Sequence, residues 1–132
     1  MRKLVLFIAF LIPVLLVGIG SFAEQVEVVT ASQTLAVDEF EKTFAVTGSG
    51  ITITLMKAEG TRGRVTCTSV GADAFNIDPQ DIDQIQFTTC AAGDQLTSPG
   101  DTTATGACIT LIDYAPGLWA VVSSNATFVD GN

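Results

Sequence analysis

Five side chains that carry oxygen ligands form the densest chemically capable group in the sequence. They fall within eleven residues around Pro79: Asp73, Asn76, Asp78, Asp81 and Asp83. Ca²⁺ binds about six to eight oxygen atoms, so this composition suits a calcium loop. The spacing lacks the glycine and the final glutamate of an EF-hand. The alternative is a solvated acidic turn, in which Asp78 and Asp81 shape or cap the turn.

No catalytic pattern accompanies these acidic residues. The chain has no histidine, so a serine or cysteine nucleophile would lack its usual activating base. A glycosidase needs two carboxylates across a cleft, and a domain of this size has little room for a deep cleft. The glycine-rich segments 48–50 and 60–63 lack the Lys-Ser/Thr of a phosphate-binding loop. We therefore predict that the protein is not an enzyme and has no cofactor besides Ca²⁺ at the acidic loop.

Two aromatic residues, Tyr114 and Trp119, flank a predicted Pro-Gly turn. A tryptophan at the start of a strand is expected to anchor a core or a subunit interface. If both rings were exposed, the pair would instead suit stacking on a carbohydrate. We predict Tyr114 and Trp119 as interface or ligand-stacking residues.

The three cysteines are Cys67, Cys90 and Cys108. They lack the CxxC spacing of zinc and redox sites. An odd number allows one intrachain disulfide and leaves one thiol over. We predict a Cys90–Cys108 disulfide, which would close the Gly/Thr-rich segment between them. Pairing of Cys67 with either of the other two remains open.

The first 23 residues have the layout of a secretory signal peptide. Arg2 and Lys3 precede an apolar run over 4–19, and Ser21 and Ala23 provide the small residues of a cleavage site. The alternative is a retained anchor, although the run is shorter than the roughly 20 residues that span a bilayer. We predict a secreted or cell-surface protein that meets the membrane only if the segment is not cleaved.

Removal of 1–23 makes the remaining chain more acidic. The full chain has 6 basic and 14 acidic residues, and Arg2 and Lys3 lie in the removed segment. The remaining 109 residues thus carry 4 basic and 14 acidic side chains, a net charge of −10. Nucleic acid is excluded as a partner, because such a domain cannot neutralise phosphates.

The rest of the sequence has the alternating apolar and polar pattern of β-strands. We predict an N-terminal strand or arm over 24–43 and a β-domain over 44–132, with a long loop at 91–106. The fold class is all-β: a small antiparallel sandwich or barrel, or a fibre-type β-prism. Strands are predicted at 25–30, 40–47, 51–56, 64–70, 75–77, 83–89, 107–113, 118–123 and 127–129.

The order of these elements resembles a known group of small β-domains. The relevant segments are ITITLM at 51–56, GRVTCTSV at 63–70, FNI at 75–77, Asp83 with Ile85, GACITLI at 106–112 and WAVVS at 119–123. Over 44–128 they are similar to β-domains of phage head and tail fibres and of short exported bacterial proteins of unknown function. The resemblance implies a fibre-forming, commonly trimeric domain. The cysteines and the signal peptide depart from the phage pattern and favour a bacterial secreted or cell-surface role.

Export, acidity and Thr-rich strands together indicate a structural function. We predict a non-catalytic β-domain that self-associates, as a subunit or decoration of an extracellular fibre, appendage or surface layer. Edge strands such as 25–30 bear threonine and glutamate, but few lysines are available to block pairing with a neighbouring copy. The alternative function is a secreted module that binds carbohydrate or a cell surface.

Overall fold

The computed structural model describes residues 25–87, 90–99 and 106–131, and the predicted signal peptide lies outside them. In the described residues the regular structure is β-strand apart from one 3₁₀ turn, Val37–Glu39. The described residues contain no helix that could span a membrane. The strands are β1 Gln25–Val29, β2 Gln33–Thr34, β3 Lys42–Val46, β4 Ile51–Thr54, β5 Arg64–Ser69, β6 Phe75–Asp78, β7 Gln84–Gln86, β8 Leu96–Thr97, β9 Cys108–Ala115, β10 Leu118–Ser124 and β11 Val129–Asp130.

The strands form two sheets, which confirms the predicted all-β fold class. Sheet A has six strands in the order β1-β3-β5-β9-β10-β7, and sheet B has five in the order β11-β8-β6-β4-β2. The first six strands alternate between the sheets, odd-numbered in A and even-numbered in B. The chain therefore winds three times around a common core before β7.

This winding makes the sheets mixed rather than antiparallel throughout. Successive strands lie in different sheets, so β1, β3 and β5 run parallel in sheet A, as do β2, β4 and β6 in sheet B. A short connection such as 47–50 carries the chain from one sheet to the other instead of closing a hairpin. Antiparallel pairing begins with β8, which pairs with β6 in sheet B. In sheet A, β9 pairs antiparallel with β5 and, through the predicted Pro-Gly turn, with β10.

The core lies between the inward faces of the two sheets. In β4 and β5 every second residue is buried, as expected for strands with one face against a core. Paired strands place core residues side by side, for example Phe44 beside Cys67 and Ile53 beside Ile77. Val29 and Leu35 from the predicted N-terminal arm belong to this same core.

Gly63 allows one aromatic ring to reach the core edge. A Cβ atom at Gly63 would overlap the ring of Phe40. The Phe40 ring centroid lies 6.3 Å from that of Trp119, so the glycine lets Phe40 cover the tryptophan.

We expect Gly63→Ala to lower the free energy of unfolding by about 1–3 kcal/mol, because the new methyl group must displace the Phe40 ring. Urea denaturation followed by circular dichroism measures the loss. The control is the same substitution in a Phe40→Ala background, where it should cost almost nothing. An equal loss in both backgrounds would contradict the proposed overlap.

Candidate functional site

The outer face of sheet A is the surface formed by side chains that alternate with its core residues. In β1, β3, β5 and β9 these are Val26, Val28, Thr43, Ala45, Arg64, Thr66, Thr68, Cys108, Thr110, Ile112 and Tyr114. None of these eleven residues is a carboxylate, although the chain is strongly acidic. The strand register aligns Thr43, Thr66 and Thr110 in one row, and the hydroxyl oxygens of Thr66 and Thr110 are 3.0 Å apart.

A groove of about 820 Å³ opens across this sheet, at the end where β1, β3 and β5 begin. It crosses five neighbouring strands, from β1 to β10. Its lining combines two cations, two carboxylates, three hydroxyls, an amide and two apolar side chains. The lining residues are Gln25, Asp38, Phe40, Glu41, Lys42, Arg64, Thr66, Thr110, Val122 and Ser123.

One wall of the groove is held in place by hydrogen bonds between the segment before β3 and the start of β5. Glu41 has φ of 62°, and its N–H donates to the Arg64 carbonyl oxygen at 2.7 Å. In return the Arg64 N–H donates to the Glu41 carboxylate at 3.2 Å. The opposite wall is β10, whose register against β9 shifts between Val121 and Ser123. This bulge leaves Val122 exposed beside the groove.

The two cations of the groove differ in their partners. The Lys42 ammonium lies 3.6 Å from a Glu27 carboxylate oxygen and 3.7 Å from one of Glu39. Among the described residues, no carboxylate lies within 4.0 Å of the Arg64 guanidinium. Arg64 is thus the cation in the groove that remains available to a ligand.

Asp113, a buried carboxylate, organises the connection that precedes β5. It accepts hydrogen bonds from the Gly60 N–H at 2.6 Å, the Thr61 N–H at 2.9 Å and the Thr61 hydroxyl at 2.7 Å. Burial raises the pKa of Asp113, but these hydrogen bonds and one from the Glu59 N–H outweigh it, so the pKa is below its usual value. The geometry is that of a structural anion rather than a general acid.

The five predicted calcium ligands do not converge. The Asp73 carboxylate accepts a hydrogen bond from the Ser49 hydroxyl at 2.9 Å in the turn region before β6. Asn76 lies in the middle of β6, where its side-chain oxygen accepts a hydrogen bond from the Thr97 hydroxyl at 2.9 Å. These two side chains are therefore directed to different neighbours.

The other three acidic residues follow at or beyond the end of β6. Asp78 is the last residue of β6, and burial raises its pKa. Asp81 is exposed, with φ of 56°. Asp83 is buried, and its carboxylate accepts a hydrogen bond from the Ala58 N–H at 2.6 Å. Within the described ranges, no three His, Cys, Asp or Glu side chains form a group that could hold a metal ion.

The predicted Cys90–Cys108 disulfide is wrong, since no disulfide joins any two of the three cysteines. Cys108 is on the outer face of sheet A, paired with Thr68, whereas Cys90 is buried in the core cluster after β7. Neither alternative pairing forms. Cys67 points from β5 into the core, on the face of sheet A opposite to Cys108, and it is not bonded to Cys90. Burial, with a smaller contribution from nearby Cys108, raises the pKa of Cys67 to about 12, so this thiol is unreactive at neutral pH.

The two predicted aromatic contact residues have different environments. Trp119 is fully buried, and its indole N–H donates to the Met56 carbonyl oxygen at 3.3 Å. The prediction of a stacking or interface role for Trp119 is therefore corrected to a core role. Tyr114 is 46% exposed, and the Arg62 guanidinium lies 4.3 Å from its ring centroid. Tyr114 thus remains a candidate contact residue, with Arg62 over its ring.

The first winding places two edge strands, β1 and β2, at the same end of the two sheets. Among the described strands, β1 pairs with β3 alone and β2 with β4 alone. Val26 and Val28 of β1 are 63% and 64% exposed. The Glu27 carboxylate lies beside Lys42 of the neighbouring strand β3, not at the free edge of β1.

No family model matches this chain, and a search of curated proteins finds no relative. The candidate groove and the exposed edge therefore rest on the chain's own geometry. Sequence reasoning missed Arg64, Thr66 and Thr110 as groove residues. The available signal was their alternation with apolar residues, which places all three on the solvent side of predicted strands.

Proposed function

We propose that the protein is an exported, non-catalytic structural β-domain that self-associates as a subunit or decoration of an extracellular fibre, appendage or surface layer. The observation that carries this proposal is the exposed edge of β1, which presents Val26 and Val28 and has no lysine or proline. Proteins usually protect edge strands with charges, proline or bulges, because an unprotected edge recruits further strands.

The sheet order supports head-to-tail assembly. β1 and β2 occupy one end of the two sheets, and β7 and β11 occupy the other. If the β1 and β2 end of one copy met the β7 and β11 end of the next, both sheets would continue across the contact. Such a contact joins two different surfaces, so repetition gives a filament unless the rotation between copies closes a ring. This geometry accommodates a fibre as well as a closed oligomer.

The backbone of β1 indicates which residue a neighbour would bond. The Val29 carbonyl oxygen accepts a hydrogen bond from the Thr47 N–H at 2.9 Å and so points towards β3. Because successive backbone groups in a strand point to alternate sides, the N–H and C=O of Val28 point away from β3. A strand added by another copy would therefore bond Val28.

We expect Val28→Pro to abolish self-association, because proline removes the outward N–H while leaving the bonds from β1 to β3 in place. The measurement is sedimentation velocity and electron microscopy of the exported protein over a range of concentrations. The matched control is Val28→Thr, which keeps the N–H and should assemble like the original chain. A monodisperse monomer at high concentration, or equal assembly of the proline variant, would contradict the proposal.

A further inference from the structure

We propose that the groove across sheet A binds a neutral polysaccharide chain, with Arg64, Thr66 and Thr110 as its principal contacts. This binding site differs from the assembly contact, because its principal contacts lie on strands inside the sheet, β5 and β9, although the groove reaches Gln25 on the edge strand β1. The two functions are compatible in one molecule, since a filament subunit can present its sheet face to a ligand.

The polar groups of the groove suit a ligand with many hydroxyls. A sugar hydroxyl both donates and accepts hydrogen bonds, and the groove provides donors and acceptors side by side. Arg64 donates, the Asp38 and Glu41 carboxylates accept, and the hydroxyls of Thr66 and Thr110 do both. The lining has two cations and two carboxylates, so its formal charge is zero and favours an uncharged ligand.

The shape of the groove favours a chain over a compact molecule. Its lining reaches from Gln25 on β1 to Ser123 on β10, across five adjacent strands. With neighbouring strands about 4.8 Å apart, the groove is about 19 Å across. Phe40 and Val122 provide apolar surface for the C–H faces of sugar rings, and the polar groups beside them would fix the orientation of the chain.

Other extended polymers fit this surface less well. An extended peptide gains most of its affinity by pairing its backbone with a free strand edge, whereas this groove presents side chains from the middle of a sheet. An acidic polymer, including a nucleic acid, would approach a domain of net charge −10 and meet Asp38 and Glu41 in the groove. A neutral, hydroxyl-rich chain avoids both penalties.

The test is affinity electrophoresis of the full exported protein through gels that contain one soluble polysaccharide each. The neutral probes are β-glucan, galactomannan and xylan, and the acidic probes are alginate and polygalacturonate. Two variants remove contacts with little change in volume: Arg64→Gln and Thr110→Val. The matched control, Thr52→Val, removes a hydroxyl from the outer face of sheet B. Trp119, the single tryptophan, reports by its fluorescence that each variant is folded.

We expect retardation by at least one neutral polysaccharide, with little dependence on salt. Arg64→Gln and Thr110→Val should each weaken this binding by about tenfold, and Thr52→Val should leave it unchanged. Absence of retardation by all three neutral probes would overturn the proposal. So would an equal loss in the Thr52→Val control, or binding confined to the acidic probes and abolished by salt. Loss of assembly in Val28→Pro with normal retardation would separate this site from the assembly edge.

Discussion

Replacing Trp119 by alanine should lower the free energy of unfolding by about 3–5 kcal/mol, the loss typical for a large buried aromatic residue. The side chain is fully buried between the sheets and contacts Phe40. Its removal leaves a cavity and takes the indole donor away from the Met56 carbonyl oxygen. For a small domain, whose total stability is about 5–15 kcal/mol, this loss is a large fraction of the whole.

Urea denaturation followed by far-ultraviolet circular dichroism measures this effect, because the variant lacks the tryptophan that fluorescence would report. Tyr114→Ala is the matched control. Tyr114 is 46% exposed and contacts Arg62, so its loss should cost less than about 1 kcal/mol. If Tyr114→Ala were as damaging as Trp119→Ala, or if Trp119→Ala were harmless, the assignment of Trp119 to the core would be wrong.

The strands that could be predicted from the sequence are those in which alternation is strong. The segments 51–56 and 64–70 alternate apolar and polar residues, and the structure has β4 and β5 there. The Pro-Gly turn likewise predicted the β9–β10 hairpin, in which Trp119 pairs with Asp113. In β4 and β5 one face of each strand is buried, so local alternation is enough to predict the strand. In the hairpin the pairing could also be predicted, because β9 and β10 are neighbours both in sequence and in sheet A.

Strand direction could not be predicted in the same way. A short connection between two strands normally indicates a hairpin, yet the connection 47–50 crosses from sheet A to sheet B. The pairing partners Phe44 and Cys67 are separated in the sequence by a strand of the other sheet. Short strands were also missed: Leu96 is a single apolar residue in a polar segment, but it is fully buried and pairs with Ile77 in sheet B.

The candidate groove could not be predicted from the sequence for the same reason. Arg64 and Thr110 lie far apart in the sequence and meet because β5 and β9 pair. The acidic group around Pro79 shows the opposite case. Asp73 and Asp83 are close in the sequence, but β6 runs between them, so proximity along the chain suggested a site that the fold does not assemble. These two carboxylates could have formed a site only if the chain between them had turned back on itself, and β6 is extended there.

The substitution Asp113→Asn should lower the free energy of unfolding at neutral pH by about 2–4 kcal/mol, because a neutral amide replaces an anion that accepts several hydrogen bonds. Gly60 and Thr61 donate these bonds, and the asparagine side chain offers one oxygen where the carboxylate offers two. The connection before β5 would lose its main attachment to β9. Urea denaturation at pH 7 measures the loss.

The pH dependence of stability separates this charge effect from packing. The pKa of Asp113 is lower in the folded protein than in the unfolded chain, so its stabilising contribution is complete above the unfolded value of about 4. That contribution is lost as the pH falls through the folded value. The original chain should therefore lose more stability on acidification below about pH 4 than Asp113→Asn does.

Asp78 provides a control, because its pKa is shifted in the opposite direction to that of Asp113. Burial raises its pKa in the folded state, so its ionisation opposes folding as the pH rises through that value. Asp78→Asn should therefore leave stability at pH 7 unchanged or increased, whereas Asp113→Asn decreases it. Equal losses in the two variants, or an acid dependence in Asp113→Asn as steep as in the original chain, would show that Asp113 contributes through its shape rather than its charge. The two variants should differ because of hydrogen bonding. The Asp113 carboxylate accepts hydrogen bonds from Gly60 and Thr61, and its charge strengthens them. The pKa of Asp78 is shifted by burial alone.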